Sequence, residues 1–129
     1  MRKDYSKVEL VYNSKDKTIK ERVVITPYEI KYKYRNNDEK IDWVRRIVDA
    51  DADSFCHELR DFLIYKLFVP FAKLAAPDEE RIDFIITNAD ETTNRHYITF
   101  DTGKKFIKDL KDLFESHYPD DLELPKFLK

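Results

Sequence analysis

The chain has 129 residues, 42% of them hydrophobic, 14% aromatic and 39% charged; this packs one domain, is too short for two ordinary ones, and excludes a disordered chain. A formal net charge of −2 dictates no polyanionic partner, although residues 1–48 are net +5 and residues 49–129 net −7. The only glycine, Gly103, excludes the dinucleotide-binding loop, the P-loop and the nucleophile elbow, which use glycines to turn at positive φ or to approach a phosphate without a Cβ.

Along the chain, KVELVYN (7–13) alternates Val8, Leu10 and Tyr12 with polar positions, and SKDK (14–17) is a polar turn. TIKERVVIT (18–26) sets Ile19, Val23 and Ile25 on one side. Thr26-Pro27-Tyr28-Glu29 has proline at the second position of a β-turn, and IKYKYR (30–35) alternates again. A period of two is the strand signal, so three antiparallel strands in a meander are expected. One long strand over 18–35 is the alternative, and Pro27 in its middle speaks against it. NNDEK (36–40) is a turn; IDWVRRIV (41–48) fits a strand or a helix, and a fourth strand or an extended arm is the preferred reading.

Asp51 or Asp53 is expected to cap the helix that follows, in which Phe55, Leu59, Phe62, Leu63 and Leu67 recur at helical spacing. Beyond Phe62 this helix is apolar nearly all round, which predicts the most buried element of the domain. Pro70 ends or kinks it and Pro77 closes the segment. RIDFIITN (81–88) and NRHYITFD (94–101) flank ADETT as a hairpin. Thr102 or Asp101 then caps the amphipathic helix GKKFIKDLKDLFESH (103–117), so Gly103-Lys104-Lys105 is a helix start, not a phosphate loop. The Leu122, Leu124, Phe127 and Leu128 tail is expected to lie along the body. The order β-β-β-(β)-α-β-β-α predicts an α+β domain spanning 1–129, an antiparallel sheet with two helices on one face.

The residues that carry most chemistry lack the required spacing. Asp49-x-Asp51-x-Asp53 opens like a calcium loop, but the sixth and twelfth positions are Ser54 and Arg60, where glycine and a bidentate glutamate belong. Cys56, His57, His96 and His117 show no metal-ligand spacing, and adjacent Cys56 and His57 diverge on a helix. Cys56 is the only cysteine and is expected to pack as a small hydrophobe. No nucleophile motif is visible, so the chain is expected to be non-catalytic, with no cofactor and no metal. MRKDYSKVEL has no apolar signal region, and residues 62–76 fall short of the roughly 20 apolar residues of a membrane span, so a cytoplasmic protein without membrane association is expected.

The pattern Ile25-Thr26-Pro27, Tyr32-x-Tyr34 and Trp43 resembles a group of small uncharacterised proteins of low-GC Gram-positive bacteria and their mobile elements. There too a helix follows, then a hairpin with a strand like Phe84-x-Ile86-Thr87, an amphipathic helix and a Pro/Leu tail. The similarity covers roughly residues 19–128 and departs at the Asp49–Asp53 run and at Pro70. Its motifs are core and turn residues, so it bears on the fold and transfers no activity.

Alternation sends Ile30, Tyr32 and Tyr34 to one side of their strand and Lys31, Lys33 and Arg35 to the other. With helices over the tyrosines, the open face carries Lys20, Arg22, Lys31, Lys33 and Arg35 and lacks a base-stacking platform. The expected function is therefore a non-catalytic binding protein of inhibitor, immunity or accessory type, acting on a protein partner. Its candidate contacts are Lys20, Arg22, Tyr28, Lys31, Lys33, Arg35, Trp43, Arg45 and Arg46, with Trp43 and the tyrosines assigned to core or interface by exposure. Nucleic-acid binding through the basic sheet face is the alternative.

Overall fold

A computed structural model describes residues 7–14, 16, 18–46, 50–67, 80–88, 90–99, 104–119 and 121–128. Six strands, β1 (Lys7–Asn13), β2 (Lys20–Ile25), β3 (Glu29–Arg35), β4 (Lys40–Arg46), β5 (Arg81–Thr87) and β6 (Thr93–Thr99), form one sheet in the order β4-β3-β2-β1-β5-β6. All five pairings are antiparallel. Two helices, α1 (Ala50–Leu67) and α2 (Lys104–His117), and a 3-10 turn at Lys126–Leu128 complete the α+β domain. The ambiguous 41–48 segment is thus strand through Arg46; Ile47 and Val48 lie outside the described residues. So do Asp49, Pro70, Pro77 and the Asp101/Thr102 cap with Gly103.

Local chemistry sets the strand ends. At Thr26–Glu29 the Thr26 hydroxyl accepts the N–H groups of Tyr28 and Glu29, each at 3.1 Å, while Thr26 N–H donates to the Glu29 carbonyl at 3.0 Å. Pro27 sits where its missing N–H is not needed. At the next turn the Asn36 side chain accepts from Asp38 and Glu39 N–H at 2.8 and 2.7 Å, the Asx geometry that suits asparagine to turns.

Cross-strand register lines up the residues of the helix-covered face. Trp43, Tyr32, Val23, Leu10 and Phe84 form one row, and Ile30, Ile25, Val8 and Ile86 another. Phe55, Cys56, Leu59 and Leu63 of α1 and Phe106, Leu110 and Phe114 of α2 close over these rows. Phe55 meets the Phe114 ring edge-on at 5.2 Å, and Phe106 meets Phe84 at 5.5 Å, arrangements favoured by the ring quadrupoles.

Two expectations for α1 are corrected. The helix already includes Ala50, so Asp51 and Asp53 are helical residues and not its cap; alanine is the strongest helix former and lets the helix begin early. Nor is it buried all round beyond Phe62: Leu63 is buried, but Ile64 and Tyr65 are exposed. A helix on one face of a sheet buries only the side that meets the sheet, whatever its composition.

The tail is tied to the sheet through an acid in the core. Glu21, 1% exposed, occupies an inward position of β2. Its carboxylate accepts the Tyr32 hydroxyl and the N–H groups of Lys126 (2.6 Å) and Phe127 (3.0 Å). These donors satisfy a charge that burial would otherwise penalise, and they fix Phe127 against Tyr12 at 5.8 Å between ring centroids. Burial still dominates and holds the Glu21 pKa above its ordinary 4.5, against the lowering pull of those hydrogen bonds.

Glu21→Ala leaves two amide N–H groups and a phenol without their acceptor and is expected to lower unfolding free energy by about 3 kcal/mol. Because the folded-state pKa is raised, the favourable contribution of Glu21 is fully present below about pH 4.5 and is lost as pH rises through the folded value. The stability advantage of wild type over Glu21→Gln should therefore shrink as pH rises from about 4.5. Urea unfolding at a series of pH values measures both effects.

Candidate functional site

The face of the sheet opposite the helices is set by the same alternation. β3 has Lys31, Lys33 and Arg35 exposed between buried Ile30, Tyr32 and Tyr34. Across the sheet the outward residues fall into rows. Lys40, Arg35, Lys20, Asn13 and Arg81 form the first, and Asp42, Lys33, Arg22, Val11, Asp83 and Tyr97 the second. Val44, Lys31, Val24, Glu9, Ile85 and Arg95 form the third; Arg46 lies opposite Glu29, and Lys7 opposite Thr87, at the end. Ten basic side chains thus stand against four acids on a face of a chain whose net charge is −2. Of the described acids of the second half of the chain, only Asp83 stands in these rows.

Pairing on this face is uneven. Glu9, only 8% exposed, holds Arg22 at 3.0 Å and Lys7 at 3.5 Å. Glu29 holds Lys31 at 3.4 Å, Asp83 holds Arg81 at 3.2 Å, and the Arg81 guanidinium lies 5.0 Å from the Tyr97 ring centroid. Lys20, Lys33, Arg35 and Lys40 have no carboxylate within ion-pair distance among the described residues. Lys20 and Arg35 are direct register partners, as are Arg35 and Lys40, and like charges directly opposite one another destabilise a sheet. Beside this row, Lys7, Glu9, Arg22, Val24, Lys31 and Lys33 line much of a depression of about 330 Å³. Small aliphatic groups, Val11, Val24, Val44 and Ile85, are spread between the charges.

The nine candidate contacts divide. Lys20, Arg22, Lys31, Lys33, Arg35 and Arg46 share the open face, and Tyr28, 49% exposed, projects from the turn at its end. Trp43 and Arg45 point to the helix side of edge strand β4. Trp43 stacks on Tyr32 at 5.4 Å between centroids and is packed against the core, and Arg45 binds Asp121 with contacts of 2.6 and 3.3 Å. The Arg45 hydrogen bonds hold the Asp121 carboxyl below its ordinary pKa. Trp43 thus braces the sheet edge against the core and Arg45 braces it against the tail.

Other reactive side chains have local roles. Cys56 is buried with its sulfur 3.7 Å from the Ile25 carbonyl. His117 bonds Glu58 at 3.1 Å and stacks on Phe55 at 5.4 Å. Among the described residues no three His, Cys, Asp or Glu side chains are grouped to hold a metal ion, and no helix is long and apolar enough to cross a membrane. A polar cluster around Glu21, Tyr12 and Glu80 on the helix side was not anticipated. Its signal was the position of Glu21, which falls in step with Ile19, Val23 and Ile25, where an apolar residue is expected.

Comparison with protein-family models, with curated proteins and with solved structures finds no match.

If the Lys20–Arg35–Lys40 row serves binding and not folding, reversing its central charge should stabilise the free protein. Arg35→Glu is expected to raise unfolding free energy by roughly 0.2–1 kcal/mol for each like-charge pair converted to an opposite-charge pair, and the gain should shrink in high salt. Urea unfolding at low and high salt checks this; destabilisation by Arg35→Glu would mean that the row supports the fold.

Proposed function

We propose that the chain is a non-catalytic binding protein whose open sheet face docks on an acidic surface of a protein partner, in the manner of an inhibitor, immunity or accessory protein. The observation that carries this reading is the excess of six positive charges, among the described residues, on the sheet face opposite the helices of a chain that is net negative overall. Such a face steers an oppositely charged partner and repels its own kind. Lys20, Lys33, Arg35 and Lys40, which pair with no acid among the described residues, supply complementarity, and Val24, Val44 and Ile85 supply apolar contact that a phosphate backbone would not use. Tyr28 at the rim is the aromatic anchor. Glu9, Glu29, Asp42 and Asp83 on the same face also favour a mixed protein surface, since each would repel a phosphate.

Nucleic acid is the second reading, supported by the acid-free row of Lys40, Arg35, Lys20 and Arg81. The arrangement offers no stacking platform, because Tyr32 and Tyr34 are buried under the helices and Tyr97 is engaged by Arg81.

Lys33→Glu/Arg35→Glu, both at exposed positions, separates the readings when it and wild type are used as baits on nuclease-treated lysate of the source cells. A protein retained by wild type, released by moderate salt and lost with the double variant is the expected result, with hydrogen-exchange protection on β2, β3 and β4 when the purified pair is mixed. Retention that is unchanged by the double variant overturns the assignment of the face. Salt-dependent binding to generic DNA or RNA, without a protein partner, transfers it to the second reading.

A further inference from the structure

On the helix side, at the end of the sheet where the tail docks, lies a second cavity of about 360 Å³, within the size range of small-ligand sites. Its walls are aromatic: Tyr12, Tyr34 and Phe127. Its polar groups are the carboxylates of Glu21 and Glu80 and the ammonium of Lys126. Tyr12 donates its hydroxyl to Glu80, and Tyr34 accepts the Asn36 side-chain amide at 2.9 Å. Both phenols are held by hydrogen bonds at their tips; the Tyr12 ring stacks on Phe127, and the Tyr34 ring presents its face to the cavity.

The cavity already shows what it attracts. The Lys126 ammonium lies 5.1 Å from the Tyr34 ring centroid, inside the range of a cation–π contact. It takes no carboxylate within ion-pair distance among the described residues. Two acids line the space against this one cation, and Asp16 adds its negative field to theirs at Tyr12. Burial first, and then Glu80, Glu21 and Asp16, raise the Tyr12 phenol above its ordinary pKa. The Tyr34 face beside a net negative space is the chemistry that receives an ammonium group on an alkyl stem.

We propose that this cavity is a binding site for an alkylammonium group, which displaces the Lys126 side chain from the Tyr34 ring. Lys126 is then an internal competitor, and its backbone N–H stays on Glu21 whichever ammonium occupies the cavity. The site is separate from the basic sheet face and does not depend on the function proposed for that face.

Titration of the full chain with n-butylammonium chloride, followed by NMR of the Tyr12 and Tyr34 ring protons, tests it. Saturable shifts are expected with butylammonium and not with 1-butanol, its neutral counterpart. Lys126→Ala should tighten binding about two- to fivefold, the worth of the exposed cation–π contact it removes, and Glu80→Gln should weaken it. A lysine blocked at both backbone ends, binding tighter than butylammonium, would assign the site to a lysine of a peptide; weaker binding would assign it to a free amine. Equal shifts with 1-butanol, no saturable shift on wild type or Lys126→Ala, or an unchanged affinity in Lys126→Ala would each overturn the proposal.

Discussion

The period of two, carried in register through six antiparallel strands, is the constraint on which the structure depends. A shift of one residue in any pairing would send that strand's lysines and acids into the core and its valines and tyrosines to water. Because Tyr32 is fixed opposite Val23 and Trp43, Lys31, Lys33 and Arg35 have only the other face to occupy. Core and candidate interface are thus produced by one alternation. The covered face supplies apolar burial, and the open face collects charge with little effect on packing.

Glu21 is the exception that ties the C-terminal segment into this scheme. A carboxylate in an inward position would destabilise the sheet if it were alone. Here the sheet supplies the Tyr32 hydroxyl and the tail supplies two amide N–H groups, so the acid becomes a bolt between two parts of the chain distant in sequence. Arg45 and Asp121 form a second tie at the β4 edge. Among the described residues no strand pairs with the outer side of β4, and its charged residues, Lys40, Asp42, Arg45 and Arg46, suit an edge that must not recruit another chain. The tail ends with Phe127 and Leu128 in the core, so it behaves as part of the domain.

Charge separation follows from the same geometry. The first half of the chain contributes β1 to β4 and hence most of the open face, while of the described acids of the second half only Asp83 stands in its strand rows. The difference between +5 and −7 along the sequence becomes a difference between faces. On the basic face, Glu29 and Asp83 hold cations by ordinary surface pairing, which contributes little to stability, while the buried Glu9 holds Arg22 and Lys7. Among the described residues the Lys20–Arg35–Lys40 row has no such relief, and its like charges work against folding, which is why it draws the functional reading.

The sequence alone determined the element order, the meander, the hairpin, the α2 stripe and the opposed chemistries of residues 30–35, because these are local periodicities enforced by backbone geometry. It also placed Lys31, Lys33 and Arg35 on one face once the helices were assigned to the other, and the β2–β3 register set Lys20 and Arg22 beside them. Tertiary structure alone decided that Trp43 and Arg45 brace an edge, that Ile64 and Tyr65 lie outside the core, and that Glu21 is satisfied by the tail. Each depends on partners far away in the chain: Trp43 on Tyr32, Arg45 on Asp121, Glu21 on Lys126 and Phe127. No local period encodes such pairings, because they are settled by which surfaces meet when the sheet, the helices and the tail close on one another.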